Sequence, residues 1–193
     1  MACVDCISPV AAVLDNKKMR PYIELVVYGG ALLAVGDPTH FTWWGVISLC
    51  LANLAQVLPT SPAYDYARSR TAMLAAITCT IIMAAVVVMS CTKCLMLSEA
   101  LDEVGPWVYA GGNFALHYYP SLRALTLAHE YSCHTLSGDA SRFLAAYCVL
   151  HQPDAVYGCG LPHAWLIAPL GILLMAACEY TAVIVCNRRQ HQA

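Results

Sequence analysis

Apolar positions along this chain gather into four long runs rather than alternating with polar ones. They cover 21–36 (PYIELVVYGGALLAVG), 42–58 (TWWGVISLCLANLAQVL), 71–92 (TAMLAAITCTIIMAAVVVMSCT) and 164–186 (AWLIAPLGILLMAACEYTAVIVC). Crossing the hydrocarbon core as a helix takes about 20 apolar residues. The third and fourth runs reach that length, while the first two are shorter and are expected to stand nearly upright. Backbone amides in lipid must be satisfied within the spanning structure, so continuous runs predict helices. A β-barrel would instead show alternating segments.

The stretch 98–163 has a different pattern. It carries Glu99, Asp102, Glu103, Glu130, Asp139 and Asp154, with Gly105-Pro106 and Gly111-Gly112 as expected breakers. Two half-apolar pieces lie inside it. One is 106–119, with Trp107, Tyr109, Phe114, Tyr118 and Tyr119, and the other is 141–151, SRFLAAYCVLH. Aromatic-rich pieces of this length read as interfacial or reentrant helices at the headgroup level. The expected fold is an all-α integral membrane protein forming a single polytopic domain over 1–193. It has four transmembrane helices and a long, partly helical interfacial loop between helices 3 and 4.

Composition narrows the class further. Of the 193 residues, 60% are hydrophobic and only 11% are charged, with a net charge of -2. Mean hydropathy is +0.60. Such a chain lacks the polar surface of a soluble domain, the low hydrophobicity of a disordered one and the basic field of a nucleic-acid binder. Four crossings place Lys17, Lys18, Arg20, Arg68, Arg70, Arg188 and Arg189 on one side, against Lys93, Arg123 and Arg142 on the other. The positive-inside rule then puts both termini on the cytosolic or matrix side.

Several side chains invite chemical readings. Cys3-Val-Asp-Cys6 and Cys91-Thr-Lys-Cys94 have the spacing of zinc pairs, but four crossings would set them on opposite faces, so a shared metal is not expected. Cys133, Cys148 and Cys159 fall together in the long loop, where an oxidising compartment would allow one disulfide with one thiol left over. His129-Glu130-Tyr131-Ser132-Cys133-His134 resembles a zinc protease motif only superficially. Its histidines are five apart, about 140° around a helix, whereas ligands on one face sit four apart. His129 and His134 are the metal candidates, with hydrogen bonding in a polar loop as the plainer reading. Glu24 and Glu179 are intramembrane acids, which mark functional sites by default. Both fall in the leaflet of the basic side and are expected near Asn53 and Gln56, as a proton or cation site or as structural hydrogen-bonding groups.

Small residues at four-residue steps, Ala72, Ala76, Thr80 and Ala84, predict a close helix contact on the third helix. Gly30 and Ala34 on the first helix, and Ser48 and Ala52 on the second, offer matching shallow surfaces. Serine-nucleophile elbows, phosphate-binding glycine loops and paired acids at fixed spacing are all absent from the sequence. The leading expectation is a non-catalytic multi-pass subunit that scaffolds a larger membrane complex. Its partners are other membrane subunits and the lipid bilayer, with bound lipid and no other cofactor. An organellar energy-converting complex, such as one of the mitochondrial inner membrane, is the home the architecture suggests. The alternative is a small ion channel or proton-coupled carrier using Glu179 and Glu24. A membrane metalloenzyme using His129 and His134 ranks third.

Overall fold

The computed structural model describes residues 18–37, 40–91, 105–130, 138–151, 169, 171–181 and 184. Among them every regular element is a helix. In chain order these are α1 (Arg20–Val35), α2 (Phe41–Val57), α3 (Pro62–Cys91), α4 (Pro106–Asn113), a π-helical turn (Phe114–Tyr118), α5 (Tyr119–Glu130) and α6 (Asp139–Leu150). A last helix, α7, covers Gly171–Thr181. The segments from α4 to α5 form one continuous rod of 25 residues, about 37 Å long at the α-helical rise.

Local chemistry explains the boundaries. Proline occupies the first turn of both α1 and α4, where its missing N–H is no loss. Gly105, at φ 77°, supplies the left-handed residue that turns the chain into α4. Pro120 lies inside the rod, where it cannot donate to Leu116 and its ring crowds that carbonyl. The turn just before it widens, the Tyr119 N–H bonding to the Phe114 carbonyl five residues back, and the rod continues without a break.

The hydrogen bonds fix the direction of each helix relative to its neighbours. α1 runs from its Arg20 end towards the α1–α2 turn, where the His40 N–H bonds to the Asp37 carbonyl. α2 returns, and α3 runs back beside it. The 106–130 rod passes that turn at His117, which contacts Thr42 at 3.0 Å. It then passes Cys79, whose carbonyl accepts from Ser121, and reaches Glu24 through Arg123 near the Arg20 end. α6 climbs again, from Asp139 beside Arg70 to Tyr147 beside Phe41. α7 descends, so that Glu179 meets Gly138. Among the described residues, α1, α2, α3, the rod, α6 and α7 therefore run alternately up and down the bundle.

Two apolar clusters hold these rods together. Val46, Leu49 and Ala52 of α2 meet Ala72, Ala75, Ala76 and Cys79 of α3, with Tyr28 of α1 and Ala124 and Leu127 of α5. Ile77, Ala140, Leu144, Tyr147 and Met175 form the second cluster, which fastens α6 and α7 to the other side of α3. The α2–α3 crossing is close at Gly45. A Cβ there would lie 2.5 Å from the Ile82 Cδ1, so any side chain would push Ile82 aside. Arg68 closes the carbonyl end of α2. Its guanidinium donates to the Ala55 carbonyl at 3.0 Å, the Pro59 carbonyl at 3.2 Å and the Leu58 carbonyl, and it pairs with Asp65. A cation at that end also complements the helix dipole.

The structure shows the all-helical class and, of the four expected crossings, one candidate span. Among the described residues one helix, Pro62–Val86, is long and apolar enough to cross a membrane. Phe41–Val57 and Gly171–Thr181 are apolar but shorter. The four transmembrane helices expected over 21–36, 42–58, 71–92 and 164–186 are thus not shown, although the architecture is all-helical. Within 98–163, expected as a partly helical interfacial loop, the described parts are helical: α4 has no buried residue, whereas α6 and α5 each bury one face in the bundle, α5 the larger. Its buried face, Pro120, Ser121, Arg123, Ala124 and Leu127, recurs at helical spacing, and its one deeply buried charge has a partner.

Candidate functional site

Charge inside the bundle concentrates where α1, α2 and the rod converge. Glu24 of α1 is 3% exposed and Arg123 of α5 is 7% exposed. The Arg123 Nε–H is shared between both Glu24 carboxylate oxygens, each at 3.0 Å. Tyr119 stands one helical turn before Arg123, on the same face, and its hydroxyl donates to Glu24 Oε1 at 2.6 Å. From α2, Gln56 presents Oε1 to an Arg123 Nη2 donor at 3.4 Å, while its amide nitrogen donates to Asn53 Oδ1 at 3.2 Å and to the Ala52 carbonyl at 3.3 Å. Tyr28 stacks against Tyr119, with ring centroids 6.2 Å apart, and donates to the Ala115 carbonyl at 2.8 Å.

The chain Asn53–Gln56–Arg123–Glu24–Tyr119 is therefore a continuous polar network linking three rods, with the Asn53 Nδ2 at its end left without a hydrogen-bond partner. Charge-assisted bonds of this kind run stronger than neutral ones, and burial raises the penalty for leaving any member unmatched. Chemically the network neutralises its own carboxylate. It holds Glu24 as an acceptor already engaged by two donor side chains, whereas a binding site presents open acceptors to an incoming cation.

Of the intramembrane polar residues expected from the sequence, the structure brings Glu24, Gln56 and Asn53 together and sets Glu179 apart. Arg123 was missed because it sits in an acidic stretch read as a loop. The signal was present as the i, i+4 pair Tyr119 and Arg123 on a face that continues to Leu127. Glu179 is buried against the start of α6, where its Oε1 accepts the Gly138 N–H at 2.7 Å. A carboxylate suits a helix N-terminus, whose amide hydrogens lack intrahelical partners. Beside it Arg70 grips Asp139 through two bonds of 2.7 and 2.5 Å and lies over the Tyr66 ring.

This placement separates two substitutions. Glu179→Gln keeps an acceptor oxygen for Gly138 and is expected to leave stability nearly unchanged. Glu179→Leu strands the half-buried Gly138 amide and is expected to cost about 1 kcal/mol. Thermal unfolding of the purified variants checks both.

The remaining candidates scatter. Ala72 and Ala76 are buried at the α2–α3 crossing with Ser48 and Ala52, Thr80 is half-buried, and Ala84 is exposed. The buried face of α3 thus follows Ala72, Ala75, Ala76 and Cys79 more closely than a strict four-residue ladder. Gly30 and Ala34 are exposed on α1. His129 lies on the exposed side of the last turn of α5, and His134 falls outside the described residues. No cluster of three or more metal-binding side chains occurs among the described residues. Cys148 is a free thiol on α6, while Cys133 and Cys159 lie outside the described residues, as do Cys3, Cys6 and Cys94. Comparisons with protein-family models, with curated proteins and with solved structures returned no match to this chain.

Proposed function

We propose that this protein is a non-catalytic, multi-pass membrane subunit that stabilises a larger membrane complex, with an energy-converting organelle as its home. The observation that carries this reading is the pairing of Glu24 with Arg123. Glu24, one of the two acids a carrier would use, is held by groups of its own chain. The outer faces add support. Leu33 on α1, Trp107 on α4 and Val149 on α6 are 91%, 89% and 85% exposed, and Val26, Leu122 and Leu173 also point outward. Large exposed apolar side chains on several of the described helices suit lipid tails and neighbouring helices better than water. α3 supplies the helix able to span, and bound lipid would fill the shallow exposed face at Gly30 and Ala34.

The test is native electrophoresis and native mass spectrometry from membranes solubilised in mild detergent. The expected result is migration well above the 20.9 kDa of the single chain, in fixed stoichiometry with other membrane proteins. A stable monomer whose reconstituted vesicles carry a proton or cation flux, lost on Glu24→Gln, would establish the channel or carrier in place of the subunit.

A further inference from the structure

The 106–130 rod poses a problem of entry into the membrane. It is long enough to span, yet it is not among the helices apolar enough to do so, and it carries a buried arginine. Its second half nevertheless packs along the bundle, from His117 at Thr42 by the α1–α2 turn, past Arg123 at Glu24, to Leu127 in the apolar core. An arginine placed alone in hydrocarbon is expensive, and such a segment tends to stay outside or at the surface. Here the guanidinium meets a carboxylate on a helix made earlier in the chain, with a tyrosine hydroxyl and a glutamine completing the site.

We infer that the rod is a conditional membrane segment, drawn into the bundle by Glu24, so that this one acid decides on which side of the membrane the chain continues after α5. The inference rests on the membrane reading above. It assigns Glu24 a role in topology: Glu24 is the receptor for Arg123, and without it the rod stays on the side from which it came. Other segments do not supply a substitute. Asp65 is engaged by Arg68, Asp139 by Arg70, and Glu179 lies with α6 and α7. With the rod inserted, Glu130 follows Arg123 on the Arg20 side of the bundle, the side on which Asp139, next to Gly138, meets Arg70.

Site-resolved labelling with a membrane-impermeant thiol reagent on sealed vesicles, read by peptide mass spectrometry, tests this in the full-length protein. Glu130→Cys reports the end of the rod, Thr60→Cys the α2–α3 turn and Asp37→Cys the α1–α2 turn. The expected result is that E130C labels from the same side as T60C and opposite to D37C. Adding Glu24→Gln should shift most of the E130C labelling to the D37C side. Adding Arg123→Leu as well should return it, since the expense of the unpaired arginine is then gone. That rescue separates conditional entry from simple misfolding, which a second substitution would not repair. If E24Q leaves the E130C label on the T60C side, or if R123L fails to restore it, the conditional mechanism is overturned. If wild-type E130C labels with D37C, the rod does not traverse the membrane at all. Release of the wild-type protein by alkaline carbonate would instead sink the membrane reading itself.

Discussion

Replacing Arg123 with methionine is expected to destabilise the protein by about 3–5 kcal/mol, the usual penalty for removing one partner of a buried ion pair. The loss is not the value of the pair. It is the expense of leaving Glu24 in an apolar setting with only the Tyr119 hydroxyl facing it. Replacing both partners, Glu24→Leu with Arg123→Met, should therefore recover most of the loss, because well-packed apolar side chains of similar volume often equal or exceed a buried pair. Chemical or thermal unfolding in detergent, run as a double-mutant cycle, measures this. A double variant as unstable as the single one would mean that the network contributes more than charge balance.

The second large effect is expected at Tyr147. Its ring is 1% exposed and sits between Phe41 at 4.8 Å, Trp44 at 5.5 Å and His151 at 5.4 Å. Edge-on and tilted aromatic contacts at these distances add to the area buried. Tyr147→Ala should cost about 3–5 kcal/mol, as for other large aromatic truncations in cores. The damage should be local. α6 and α7 hang on α3 and on the start of α2, so their amides should lose hydrogen-exchange protection while those at the α2–α3 crossing keep theirs. Equal loss at Leu49 and Leu144 would show that the two clusters unfold as one.

Much of the helical layout was legible in the sequence, and the exceptions have specific causes. The runs 21–36 and 42–58 correspond to Arg20–Val35 and Phe41–Val57 because charge, proline or glycine bounds each one sharply. The third run was read from 71, yet α3 begins at Pro62. The polar turns Tyr64 to Arg70 read as a linker by hydropathy alone. They are helical because Arg68 bonds the end of α2 and Arg70 bonds Asp139, partners that a hydropathy profile cannot display. The rod was the largest departure. Gly111-Gly112 and Pro120 are ordinary breakers, and a hydropathy reading has no means of anticipating that a π turn accommodates the proline. In the candidate site, Glu24, Asn53 and Gln56 were legible as polar residues out of place in apolar runs, and the structure gathers them around Arg123. Glu179 was placed with them on depth alone. Depth fixes the level of a residue in the bundle and says nothing about which neighbour its face meets, and Glu179 faces α6.

The sequence distance between Glu24 and its partner sets a schedule for synthesis. Arg68 satisfies the end of α2 from only 13 residues away, so the α2–α3 hairpin is complete before later segments exist. Arg123 lies 99 residues after Glu24. At translation rates of roughly 5–20 residues per second, Glu24 waits on the order of 5–20 s between its own emergence and that of the arginine. Its position one turn inside α1 suits that wait, since from there the carboxylate can still reach water at the mouth of the helix. Ribosome speed across 25–123 thus becomes a variable in how the bundle assembles.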